Sequence, residues 1–184
     1  METTTASDAE LLAQISSGDE SALRELVERH SGWLLLRLRR RAGDDDLAAT
    51  ALQDAFIAVW RQAGRYRGEG DVGAWLWGIA IRRLISCLRA RPAPLALREE
   101  VVARYAGSAL SAEEQLLIAV EHGDLGDAMA RLSPELRAAF RATVLDGLTT
   151  KEAAQLLGVP HGTVKSRIRL ARMHLRRDLM EGLT

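Results

Sequence analysis

The stretch Leu145–Leu179 constrains the fold more than any other part of the chain. Thr149 and Glu152 stand three positions apart, as a helix capping box requires, each side chain satisfying the other's backbone N–H. The short helix that follows is expected to turn Ala153, Leu156 and Leu157 inward. Gly158 supplies the left-handed residue that ends it, Val159 fills the gap, and Pro160 opens the next helix. Helix, tight glycine turn, helix is the helix-turn-helix layout. The last helix carries two stripes. Val164, Ile168, Ala171, Leu175 and Leu179 recur at helical spacing and are expected to pack on the domain. Lys165, Arg169, Arg172 and Arg176 follow the same spacing about a quarter turn away. A row of cations along one helix face can pair with successive phosphates. Near the start of that helix, His161, Thr163, Ser166 and Arg167 are placed to reach base edges. A basic helix face taken alone is most often only solvated. The coincidence of cap, glycine turn and cation row weighs toward nucleic acid.

The rest of the chain also reads as helix, rich in Leu, Ala, Arg and Glu and without period-two alternation. A first helix covers Ala9–Ser16, and Asp19 caps a second. That one carries Leu23, Leu26, Val27 and His30 on one face and runs through Ser31-Gly32 toward Arg41. In a third helix Leu52, Ala55, Phe56, Val59 and Trp60 predict a buried stripe. Gly64–Gly73 reads as a loop, followed by a helix from Ala74 to Arg91 that Pro92 and Pro94 end. Pro92–Ser111 reads as a linker, although Glu99–Tyr105 is compatible with helix. A helix is expected over Ala112–Leu132. Ser133-Pro134 then restarts the chain with Leu136, Phe140 and Val144 as an apolar face, closed by Gly147. The expected fold is all-α: two helical domains, residues 1–92 and 112–184, joined by a flexible linker over 93–111.

Charge bounds the function. The chain has 25 basic and 25 acidic residues, which argues mildly against a free-standing DNA binder. The charges are segregated, however, with acid at Asp44–Asp46 and base along the last helix. Arg65, Arg67, Arg82 and Arg83 cluster around one loop and one helix, which favours phosphate contact over plain solvation. Of the tryptophans, Trp60 and Trp75 are expected in the core. Trp77, beside Gly78, stays open between core packing and stacking on an unpaired base. Cys87 is the only cysteine, so no intramolecular disulfide forms and a reducing cytoplasm fits. Met1–Glu10 is polar and acidic, unlike a secretory signal, and no apolar run approaches the roughly 20 residues of a membrane span. The four histidines show no metal-ligand spacing, and three consecutive aspartates point in different directions on a helix. No nucleophile, base and orienter can be assembled. Neither enzyme activity, nor a cofactor, nor a metal is expected.

The run Leu148–Arg167, above all Gly162-Thr163-Val164-Lys165-Ser166-Arg167 followed by Ala171-Arg172, resembles region 4 of the extracytoplasmic-function (ECF) sigma factors. The first half resembles region 2 of the same family in Gly18–Leu23, in Leu52-Gln53-Asp54-Ala55-Phe56 with Val59-Trp60, and in Ala74-Trp75-Leu76 through Arg82-Arg83-Leu84-Ile85. The resemblance implies that Gln53, Asp54, Phe56 and Trp60 dock on the clamp helices of core RNA polymerase. It implies that Arg65, Arg67, Trp77, Arg82 and Arg83 serve the −10 element of promoter DNA, and that the helix from His161 to Arg172 reads the −35 element. Family members are often held by an anti-sigma factor, so such a partner is expected by resemblance, with no insertion into a membrane. Two positions depart from the pattern: Ala49-Thr50 replaces a usual acidic pair, and Ser86 a common aspartate. Three rival readings are a dimeric helix-turn-helix regulator without a sigma role, a DNA-processing enzyme, and a bundle that binds only proteins.

Overall fold

Local capping chemistry sets where the first helices begin. The structure is a computed structural model that describes residues 6–90, 95–107 and 125–181. Ser7 and Glu10 form a capping box at the head of α1 (Asp8–Ser16). Asp19 caps α2 (Glu20–Ala42), its Oδ1 accepting from the Ser21 N–H at 2.8 Å. Asp44 caps α3 (Asp45–Gln62), its Oδ1 accepting from the Leu47 N–H at 2.7 Å. A 3-10 turn (Ala63–Arg65) and a loop lead to α4 (Val72–Ala90). The α2 helix runs unbroken through Ser31-Gly32, as the sequence pattern requires.

Chain contacts divide the molecule into two compact units, Met1–Ala93 and Pro94–Thr184. In the first, α3 packs against α2 and α4. The buried side of α3 is Leu47, Ala48, Ala51, Ala55, Ala58 and Val59. This corrects the expected stripe: Leu52, Phe56 and Trp60 are only half-buried. Alanines let the three helices approach closely, so the larger side chains are turned to the flank.

A polar relay ties α1 to α2. Trp33 Nε1 donates to His30 Nδ1 at 3.0 Å, so His30 Nε2 carries the proton toward Asp8 Oδ2 at 2.7 Å. Arg29 donates to Asp8 Oδ1 at 2.7 Å and also pairs with Glu25. Burial pushes the Asp8 carboxyl up, but bonds from Arg29 and His30 outweigh it and hold the carboxyl below its usual value. A depressed folded-state pKa contributes stability above the ordinary carboxylate range, lost as pH falls through the folded value. Asp8→Asn is therefore expected to lower stability at neutral pH by about 1 kcal/mol or less, typical of a half-exposed pair. The difference from wild type should shrink to nothing under acid. Urea titrations read by tryptophan fluorescence across pH check this; a difference independent of pH would refute the ionic origin.

The second unit begins inside the segment expected as linker. Leu95–Ala106 is a helix, α5, not a flexible tether, because Val101 and Tyr105 are buried where it packs on the unit's central helix. Most of the helix expected over Ala112–Leu132 lies outside the described residues; its end is α6 (Leu125–Arg131). Ser133 then caps α7 (Pro134–Phe140), with Pro134 in the first turn. This helix runs on into a π-helical turn, Arg141–Leu145. The extra residue per turn rotates the helix end, so Val144 is 45% exposed rather than core, and Leu145 packs inward. The helices α8 (Thr150–Leu157) and α9 (His161–Glu181) follow. No helix among the described residues is long and apolar enough to cross a membrane.

Candidate functional site

The α8–α9 pair forms as its local chemistry demands. Thr149 N donates to Glu152 Oε2 at 2.8 Å, and Glu152 N returns a bond to Thr149 Oγ1 at 3.2 Å. Gly158 adopts φ +65°, the left-handed conformation that closes α8. The Pro160 carbonyl then accepts from Thr163 and Val164, starting α9. On α9, Val164, Ile168, Ala171 and Leu175 are buried, and Leu179 packs against the core half-buried. Lys165, Arg169, Arg172 and Arg176 are all exposed along one flank, and make no ion pair among the described residues. Such a row costs repulsion in isolation and is relieved by an anionic ligand.

The helix tip is more structured than the sequence implied. His161 is exposed, and its Nε2 lies 2.7 Å from Thr150 Oγ1. Ser166 Oγ donates to the Thr163 carbonyl at 2.9 Å, and Thr163 is half-buried. Arg167 is half-buried, and its charge acts on Glu135. The Glu135 carboxyl is held below its usual value, first by its own backbone N–H, then by Ser133, and least by Arg167. Arg177 is diverted from the row, since Asp178 pairs with both Arg131 and Arg177 at 3.1 and 3.3 Å. Three exposed apolar side chains on α9, Leu170, Met173 and Met180, were missed because amphipathic reading assigns every apolar residue to the core.

In the first unit, Arg65 and Arg67 flank Tyr66 and are exposed. Tyr66 closes the loop, donating to the Gly70 carbonyl at 2.6 Å and packing edge-on to Trp75 at 5.6 Å. Arg82 is exposed and bonds back to the Gly78 carbonyl at 2.7 Å, while Arg83 is half-buried. Trp77 resolves the other way from base stacking. It is 3% exposed, within the buried stripe of α4, and the Arg37 guanidinium covers its ring at 4.1 Å. Its face is occupied, so it is a core residue.

On the outer side of α3, Phe56, Ile57 and Trp60 join Leu23 and Val27 of α2 to line an open groove of about 730 Å³. Glu20, Arg24 and Arg61 edge it. Gln53 is exposed on the same helix; Asp54 is half-buried and turned toward α4, its Oδ2 3.7 Å from Cys87 Sγ. Ile57, 42% exposed, belongs to this face and was missed for the same reason as Leu170. Among the described residues, no group of three or more His, Cys, Asp or Glu is placed to hold a metal ion.

Two family models match the chain in order: Sigma-70 region 2 over residues 26–92 and Sigma-70 region 4 over residues 122–175. The ECF RNA polymerase sigma factor SigM of Mycobacterium tuberculosis is 39% identical over 176 residues, covering 94% of this chain and 85% of that protein. The chain belongs to the ECF sigma-factor family. The ECF RNA polymerase sigma-E factor of Escherichia coli is 31% identical over 173 residues, 90% of each chain. Among solved structures, CnrH in complex with the cytosolic domain of CnrY covers 95% of this chain and 97% of that chain, at 25% identity and a TM-score of 0.44. With both regions assigned, α2 to α4 of this sigma factor belong to region 2, and α6 to α9 to region 4.

Proposed function

We propose that this sigma factor docks on core RNA polymerase through the α2–α3 groove and the outer face of α3, and grips the −35 element with α9. Residues Gln53, Asp54, Phe56 and Trp60, with Ile57 added, are the docking set. Arg65, Arg67, Arg82 and Arg83 are the contacts to −10 DNA, and Trp77 is left out. His161, Thr163, Lys165, Ser166, Arg167, Arg169, Arg172 and Arg176 are the −35 set. The observation that carries the reading is the exposed row Lys165, Arg169, Arg172 and Arg176 beside a fully packed apolar stripe, on a helix held by a capped glycine turn.

The mechanism is binding and strand separation, with no covalent chemistry. Extruding a base from the stack costs a few kcal/mol, which binding at two sites on one chain offsets. Net neutrality suits a factor brought to DNA by its polymerase. The site of action is the cytoplasm, and an anti-sigma factor is the further partner; to inhibit, it has to cover the groove or the cation row.

Run-off transcription with bacterial core RNA polymerase tests this. Specific transcripts should appear only with the sigma factor and disappear with Arg169→Ala. Absence of both polymerase binding and transcripts, with dimeric binding to duplex DNA, would replace it by the regulator reading. A second expectation concerns the isolated chain. Its binding to duplex DNA should be weak and fall steeply with salt. Arg172→Ala should lower the slope of log K against log salt by about 0.9, equally for all sequences. A sequence-dependent loss would make Arg172 a base reader, and nanomolar binding at physiological salt would contradict the proposed dependence on polymerase.

A further inference from the structure

We infer that Thr150 is a positioning residue for promoter reading: it holds His161 at the tip of α9 so that the imidazole addresses one base pair of the −35 element. The inference rests on the reading of α9 as the −35 helix. Thr150 and His161 are the first residues of α8 and α9, eleven positions apart, and the turn at Gly158 brings Thr150 Oγ1 to 2.7 Å from His161 Nε2. The bond is not part of the capping of α8, which uses the neighbouring Thr149 and Glu152. Both side chains are at least partly exposed, so the bond does not serve to satisfy a buried group.

What the bond does is order an exposed ring. Pro160 and Gly162 flank His161 and carry no hydrogen-bonding side chain, and a Cβ added at Gly162 would meet nothing within 4 Å. The imidazole is thus the leading polar side chain of the helix, with open space beside it. With Nε2 tied to Thr150, the ring plane is set and Nδ1 is the one ring nitrogen left to hydrogen-bond a base edge; the hydroxyl can donate or accept, so Nδ1 can serve in either role. A ring left free has to be ordered on binding, which weakens the contact by roughly two- to tenfold. The exposed cations behind it hold phosphates whatever the sequence; a fixed imidazole at the tip is able to discriminate.

The experiment uses the full chain reconstituted with core polymerase on a promoter pool randomised across the −35 element, with transcripts sequenced. Thr150→Ala, Thr150→Ser, His161→Ala, the Thr150/His161 double alanine and Arg169→Ala are compared. The expected result is that Thr150→Ala and His161→Ala each lose roughly two- to tenfold selectivity at the same base pair. The double variant should lose no more than His161→Ala alone, and Thr150→Ser should keep wild-type selectivity. The inference is overturned if Thr150→Ala matches wild type at every position, or if it lowers transcription from all promoters equally. Should wild type be indifferent to the −35 sequence, or Arg169→Ala yield transcripts as wild type does, the reading of α9 fails, and the positioning role with it. Circular dichroism melting of each variant separates a folding loss from a loss of selectivity.

Discussion

Arg137→Ala is expected to destabilise the second unit by about 2–4 kcal/mol, because backbone carbonyls lose a charged donor and the buried side chain leaves a void. The side chain is 6% exposed and donates four hydrogen bonds, all to backbone carbonyls. Nε reaches Met129 O at 2.9 Å, one terminal nitrogen reaches Ala106 O at 2.8 Å, and the other reaches Ala130 O at 2.7 Å and Leu132 O at 2.6 Å. Ala106 ends α5, and Met129 to Leu132 is the end of α6 and the residue after it. Carbonyls in a last helical turn have no partner within their own helix and carry the negative end of its dipole. One guanidinium therefore caps two helix ends and fixes both to α7. Alanine leaves those carbonyls without donors and opens a void. Lysine restores the charge but not the fork, so Arg137→Lys should recover little. The test is unusually clean, because all four tryptophans lie in the first unit: Trp33, Trp60, Trp75 and Trp77. In urea titration the far-ultraviolet circular dichroism should show an early phase for Arg137→Ala. The tryptophan fluorescence midpoint should stay in place. A circular dichroism transition within about 1 kcal/mol of wild type would show that the four bonds contribute no more than an ordinary one.

Arg137 also shows where sequence reading stops. Spacing four apart with Arg141 on an otherwise apolar helix was the only signal, and charged residues are read as exposed by default. Arg141 is 1% exposed and donates to the Arg104 carbonyl at 3.0 Å, again at the end of α5. Nothing local announces a bond across 37 positions. The same gap hid α5, since a Pro- and Gly-flanked stretch reads as a linker unless its docking partner is known. By contrast, the box at Thr149, the turn at Gly158 and the stripes on α9 were legible, because each depends on residues within a few positions. Trp77 lies between these cases. Its place in the α4 period was visible, but the guanidinium that covers it comes from α2.

The α3 face combines both lessons. Periodicity put Phe56 and Trp60 in the core, while resemblance put them on the polymerase. The structure leaves them half-buried in an open groove, a position that permits the second role. Hence the other large effect expected is Trp60→Ala, which should weaken binding to core polymerase about 30-fold or more. That is the loss typical when an aromatic anchor is removed from the centre of an interface. Gln53→Ala, at the exposed edge, should cost less than about fivefold. Trp60→Phe should recover most of the affinity, because the groove is lined by Leu23, Val27 and Ile57 and selects for apolar volume rather than for a polar contact. Fluorescence anisotropy of an N-terminally labelled full chain titrated with core polymerase gives all three values. Duplex DNA binding by the isolated Trp60→Ala chain should be unchanged, as α9 belongs to the other unit. If Trp60→Ala folds and binds polymerase within threefold of wild type, the groove is not the docking surface. The docking role would then fall to the remaining polar positions, Gln53 and Asp54.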